Sequence, residues 1–104
     1  MSEVMDRAID ILREGGWTRG ATEDNGQHCL LGALWEAEKQ LSYGGAHYIN
    51  VHMVWRVLQT HHHASNIPMW NDYVARDADE VIGVLKLAGE LLDEREAAHE
   101  RAGR

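Results

Sequence analysis

The 104-residue sequence contains no phenylalanine, one cysteine and one proline, and its basic residues number 10 against 17 acidic ones. Each shortage excludes something. A lone thiol, Cys29, cannot close an intramolecular disulfide, so the bridge framework of small secreted domains is missing and a reducing cytoplasm is the expected compartment. The deficit of lysine and arginine leaves a formal charge of −7, which repels nucleic-acid phosphates and anionic lipid surfaces and argues against both as partners. The N-terminus "MSEVMDRAIDILREGG" has carboxylates where an export signal needs a basic head and an apolar run. The longest apolar-plus-glycine stretch runs only from Cys29 to Trp35, so no membrane span is expected. Strict two-residue alternation, an internal repeat, Cys-x-x-Cys and His-x-x-x-His are all lacking, which removes strand-rich, solenoid and ordinary zinc-site architectures.

What is present is an apolar fraction of 44%, enough for one core and too little chain for two. The expected organisation is a single helical domain over 1–104, with its core at about 3–92 and a solvated helical tail at 93–104. Val4, Ala8, Ile11 and Leu12 recur at helical spacing over 3–14, and Gly15 and Gly16 end that helix. "WTRGATEDNGQH" then reads as either an irregular loop or a short β-hairpin about Asn25-Gly26. A second helix is expected from Gln27 or His28 to Leu41, with Leu30, Ala33, Leu34, Ala37 and Leu41 on one stripe and Leu31 and Trp35 facing elsewhere. After the break "SYGGAH", a third helix over 49–61 is apolar around most of its circumference, as a central or partner-sharing helix would be. A loop containing Pro68 leads to Asp77, where Asp-Ala-Asp-Glu reads as the N-cap of a fourth helix. The fold class is therefore mainly α: a compact four-helix domain, with or without a hairpin between helices 1 and 2.

Candidate chemistry gathers at three places. Cys29 sits where a polar turn becomes an apolar helix, and unpaired amides of a first turn favour a thiolate there. A thiol hydrolase or transferase would need His52 or His47 as base and Asp72 or Asn71 as orienting group, because His28 diverges by about 100° from Cys29 on a helix. The plainer account is a small buried side chain at a tight packing point, with Gly32 admitting a ring such as Trp17 or Trp70. The run His61-His62-His63 cannot converge on one ion from a helix, and it is expected to be a solvated helix end with no metal or cofactor. "IPMWND" places Trp70 between a proline turn and two capping side chains, Asn71 and Asp72. It is either an anchored loop or an aromatic anchor with a hydrogen-bonding rim offered to a partner.

Four tryptophans are many for a chain of this size. Trp17, Trp35 and Trp55 cannot all share one small core, so Trp35 and Trp55, with Leu31 and Val51, are expected to lie in an interface between copies. A twofold dimer is the commonest solution.

"GGW" at 15–17, Gly20, "CLLGAL" at 29–34 and "IPMWNDYVARDADEVI" at 67–82 together resemble a family of small proteins from actinobacteria and their phages, known as a domain of unknown function. The resemblance runs from about Ile9 to Leu92 and leaves 60–66 and the tail outside its motifs. It implies a phage or actinobacterial origin and no activity. The expected function is a non-enzymatic interaction protein, a homodimer acting on a host or phage protein in the host cytoplasm; the thiol enzyme of Cys29, His52 and Asp72 is the alternative.

Overall fold

A computed structural model describes residues 2–41 and 47–102, excluding the side chains of 47, 48 and 102. The predicted break at 42–46 and the side chain of His47 lie outside the described residues. Within them, the elements run α1 (Glu3–Gly15), β1 (Glu23–Asp24), β2 (Gln27–His28), α2 (Leu30–Gln40), α3 (His47–His62), α4 (Ile67–Met69), a π-helical turn (Trp70–Val74) and α5 (Ala78–Ala102).

The first helix forms as its spacing predicts. Ser2 caps it by accepting from the Met5 N–H at 3.4 Å, Glu3 and Asp6 stand in the first turn, and Arg13 stands in the last. Its buried stripe of Val4, Met5, Ala8, Ile9, Ile11 and Leu12 packs against α2 and α5, and α3 closes the core against α5. Gly16, at φ 99°, turns the chain out of α1.

The segment after α1 is a hairpin. Asn25 (φ 52°) and Gly26 (φ 83°) are both left-handed, as a two-residue type I′ turn requires, and they pair Asp24 with Gln27 and Glu23 with His28. Strand β2 also exchanges bonds with the exit from α1: His28 N–H donates to Gly16 and Thr18 N–H donates to His28, each at 3.0 Å. Residues 27 and 28 are thus strand, and α2 starts at Leu30, two or three residues later than expected. His28 consequently projects from extended chain, not from the helical position that set its direction away from Cys29.

Among the described residues five helices replace the expected four, because the loop carrying Pro68 is itself helical. Asn66 caps this segment by accepting from the Met69 N–H at 3.0 Å, and Pro68 occupies its first turn, where no N–H is missed. The turn then widens: Ala75 N–H donates to the Trp70 carbonyl at 2.8 Å, an i to i+5 bond. In so wide a turn successive side chains diverge less than on an α-helix, and both Trp70 and Asn71 point inward. Helix α5 starts as read from sequence, with Asp77 Oδ1 accepting the Glu80 N–H at 2.9 Å. Leu41, expected on the buried stripe of α2, is instead exposed.

Candidate functional site

Of the residues singled out by sequence, Cys29, Asn71 and Asp72 come together near the N-terminus of α2. Four leading N–H groups of any helix lack intrahelical partners, and here two are satisfied by different parts of the chain. Cys29 is the N-cap, and its Sγ accepts from the Gly32 N–H at 3.2 Å. Asn71, from the π turn, accepts the Leu30 N–H at 3.0 Å. Its Oδ1 also takes the Trp17 indole N–H at 2.7 Å, while its Nδ2 donates to the Thr18 carbonyl at 3.1 Å and to Asp72 Oδ1 at 3.0 Å. One fully buried amide thus ties the hairpin segment, α2 and the π turn together.

A second tier lies outside it. Asp72 Oδ1 accepts the Gly20 N–H at 2.9 Å, and Arg19 donates to the Ala75 carbonyl at 2.6 Å with its guanidinium 4.4 Å from the Trp17 ring centre. The Gly20 N–H, followed by the Asn71 amide, holds the Asp72 carboxyl below its ordinary range; partial burial opposes this and the Arg19 charge adds to it. Sequence reasoning missed Arg19 and the pairing of Trp17 with Asn71, since bonds across more than fifty residues leave no local pattern.

The thiol is 5% exposed and acts as a cap. Gly32 is required beside it, although not by a ring: a β-carbon there would overlap the Thr22 carbonyl, which itself accepts the Cys29 N–H at 3.3 Å. No hydrogen bond among the described residues joins Cys29, His52 and Asp72 to one another. His52 is exposed on α3 and stacks on Trp55 with ring centres 5.7 Å apart.

Trp70 is 1% exposed and so presents no ring to a partner. Its plane is tilted against the His62 imidazole at 5.0 Å, and its buried indole N–H has no hydrogen-bond partner. The other histidines of the triplet, His61 and His63, are exposed; His63 is left-handed at φ 53° and ends α3, with the Ala64 N–H reaching back to the Leu58 carbonyl. Among the described residues no group of three or more His, Cys, Asp or Glu is placed to hold a metal ion, and no helix is long and apolar enough to cross a membrane.

The accessible apolar surface is elsewhere. Leu31, Val51, His52, Trp55, Ile67 and Pro68 line an open groove of about 680 Å³ between α2, α3 and α4, and the Trp55 indole N–H donates to the Ser65 carbonyl at 3.1 Å. No Asp, Glu, Lys or Arg is among the described residues lining it. Met69, Tyr73 and Val74 are 58%, 81% and 55% exposed, and Trp35 on α2 is 44% exposed. Trp55 and Trp35 therefore lie at the surface, whereas Trp70 and Asn71 lie within it.

No curated protein and no solved structure matches the chain. A family model does, over residues 1–91, a span that takes in α1, the hairpin, the Cys29 and Asn71 caps and most of α5. The chain therefore belongs to the family described as a family of unknown function, DUF6197.

Proposed function

We propose that this chain is a non-enzymatic interaction protein that works as a homodimer and docks on a host or phage protein in the cytoplasm of the host cell. The observation that carries this is the groove between α2, α3 and α4: an apolar concavity, open to solvent and with no Asp, Glu, Lys or Arg among the described residues lining it, on a molecule whose formal charge is −7. The tryptophan and aliphatic side chains that line this concavity have the composition of an interface centre, where aromatic residues are enriched and charges depleted. The resemblance of "CLLGAL", "IPMWNDYVARDADEVI" and the other motifs to small proteins of actinobacteria and their phages accords with a phage or actinobacterial setting.

Chemistry at Cys29 is the weaker reading because the sulfur already serves a structural bond and is closed off from solvent. Sedimentation velocity of the full chain at tens of micromolar tests the proposal. A species of twice the chain mass is expected, and a single monomeric species would contradict it.

A further inference from the structure

The chain has four asparagines, and their surroundings set one apart from the rest. Asn71 is fully buried with both ends of its amide engaged, Asn50 is 3% exposed and donates to Glu38 at 3.0 Å, and Asn66 accepts the Met69 N–H as the cap of α4. The residue after each, Asp72, Val51 or Ile67, carries a side chain that shields the backbone nitrogen joining the pair. Asn25 is followed by glycine, and both residues are exposed at the tip of the hairpin. The ladder pairs Glu23 with His28 and Asp24 with Gln27, so the Gly26 N–H lies in the turn and outside the ladder. A β-carbon on Gly26 would meet no atom within 4 Å beyond its chain neighbours, which leaves that side of its nitrogen open.

We infer that Asn25-Gly26 is a self-modification site, at which the backbone nitrogen of Gly26 displaces the side-chain amide of Asn25. Attack needs the turn to open, and strands of two residues with 23–27 exposed throughout can open locally. The bond from the Gly26 nitrogen to Asn25 Cγ forms and the Cγ–Nδ2 bond breaks. The proton of the attacking nitrogen passes through water to the departing one, which leaves as ammonia, and a succinimide ring remains. Water then opens the ring at either carbonyl, so nothing is oxidised or reduced. Cleavage of the new bond leaves aspartate in an unaltered backbone, whereas cleavage at the other carbonyl leaves isoaspartate, whose chain runs on through Cβ and Cγ. Isoaspartate adds a backbone atom inside a two-residue turn whose members sit at φ 52° and 83°. The surroundings leave no slack for it. The Gly26 carbonyl lies where a β-carbon on Gly15 would overlap it, and the Thr22 carbonyl, just before β1, accepts the Cys29 N–H and lies against Gly32. Isoaspartate at position 25 therefore lifts the hairpin from the end of α1 and the start of α2.

The test ages the full-length protein in warm, mildly alkaline buffer beside the same chain unfolded in urea, until the unfolded chain is modified at Asn25. Tryptic mapping by mass spectrometry follows the exchange of amide for acid, and an isoaspartate-specific carboxyl methyltransferase labels the isoaspartyl product. Over that time the folded protein is expected to gain both signals in peptide 20–39, before any change in peptide 40–56, which holds Asn50, or 57–76, which holds Asn66 and Asn71. The purified isoaspartate form is expected to show a lower urea midpoint than Asn25→Asp, which has the same added charge and an unaltered backbone. A folded chain whose peptide 20–39 keeps its mass, or one modified first in either of the other peptides, overturns the inference. An isoaspartate form as stable as Asn25→Asp overturns the lifting of the hairpin.

Discussion

Replacing Asn71 by alanine removes a side chain that joins three parts of the fold. Four hydrogen bonds are lost, and three groups of the surrounding chain are left behind: the Leu30 N–H, the Trp17 indole N–H and the Thr18 carbonyl. A polar group stripped of its partner costs about 1–3 kcal/mol, with the upper end reserved for groups that water cannot reach. Leu30 is fully buried, whereas Trp17 and Thr18 are partly accessible, so the sum comes to about 3–5 kcal/mol. That is a large share of the roughly 5–15 kcal/mol that holds such a domain folded. The melting temperature should drop by roughly 15 °C or more, given about 4–8 °C per kcal/mol at this size. Urea titration followed by tryptophan fluorescence measures the change directly, as a lower midpoint at unaltered slope. Lys86→Ala, at an exposed position on α5 with no side-chain hydrogen bond or ion pair to lose among the described residues, serves as the control and should stay within about 0.5 kcal/mol of wild type. A loss under about 1 kcal/mol for Asn71→Ala would mean that the three partners find water or each other, and the idea of a central amide clamp would be wrong.

Three further outcomes follow from the same contacts. Cys29→Ala removes the Sγ cap and should cost about 1 kcal/mol, whereas Cys29→Ser offers a better cap acceptor and should recover part of it; equal losses would show that volume matters and capping does not. His63→Gly should stabilise the protein by up to about 1 kcal/mol in the same titration, because a left-handed residue at a helix end is relieved of its β-carbon; a destabilised variant would point to a role for the imidazole. Asp72 is held below its ordinary 3.8, so its contribution is complete above that value and is lost as pH falls through the lower folded value. Wild type should therefore lose stability more steeply than Asp72→Asn below about pH 4, and parallel acid profiles would contradict the bond to Gly20.

Much of the frame was legible in the sequence. The stripe of α1, the Asn25-Gly26 turn and the Asp77 cap are local signals read within a few residues, and the structure realises each. Asn66 before Ile67-Pro68 carried an equally local capping signal for α4, which the loop-like composition around Pro68 obscured. The π turn had no such signal, because its extra residue is held by the tertiary demand that Trp70 and Asn71 both face inward. The start of α2 was misjudged for a related reason: Gln27 and His28 are recruited into a hairpin by pairing with Glu23 and Asp24 and by bonds to Gly16 and Thr18. At the candidate site the right residues were found without their relations. Cys29, Gly32, Asn71 and Asp72 all matter, but what Gly32 accommodates is a backbone carbonyl of Thr22, and what Asn71 addresses is the start of α2 and Trp17. Such contacts depend on chain segments brought together only after folding, so composition and periodicity carry no trace of them.

Asn71 and the Cys29 thiol hold the start of α2 through structural bonds, and the reactivity of that single thiol decides between an architectural role and catalysis. Alkylation of Cys29 by iodoacetamide, followed across a urea series at neutral pH, should be negligible in the native protein and should rise in step with global unfolding. Labelling of the native chain faster than a free cysteine in solution would instead reveal an accessible, activated thiolate, and the structural assignment of Cys29 would fail.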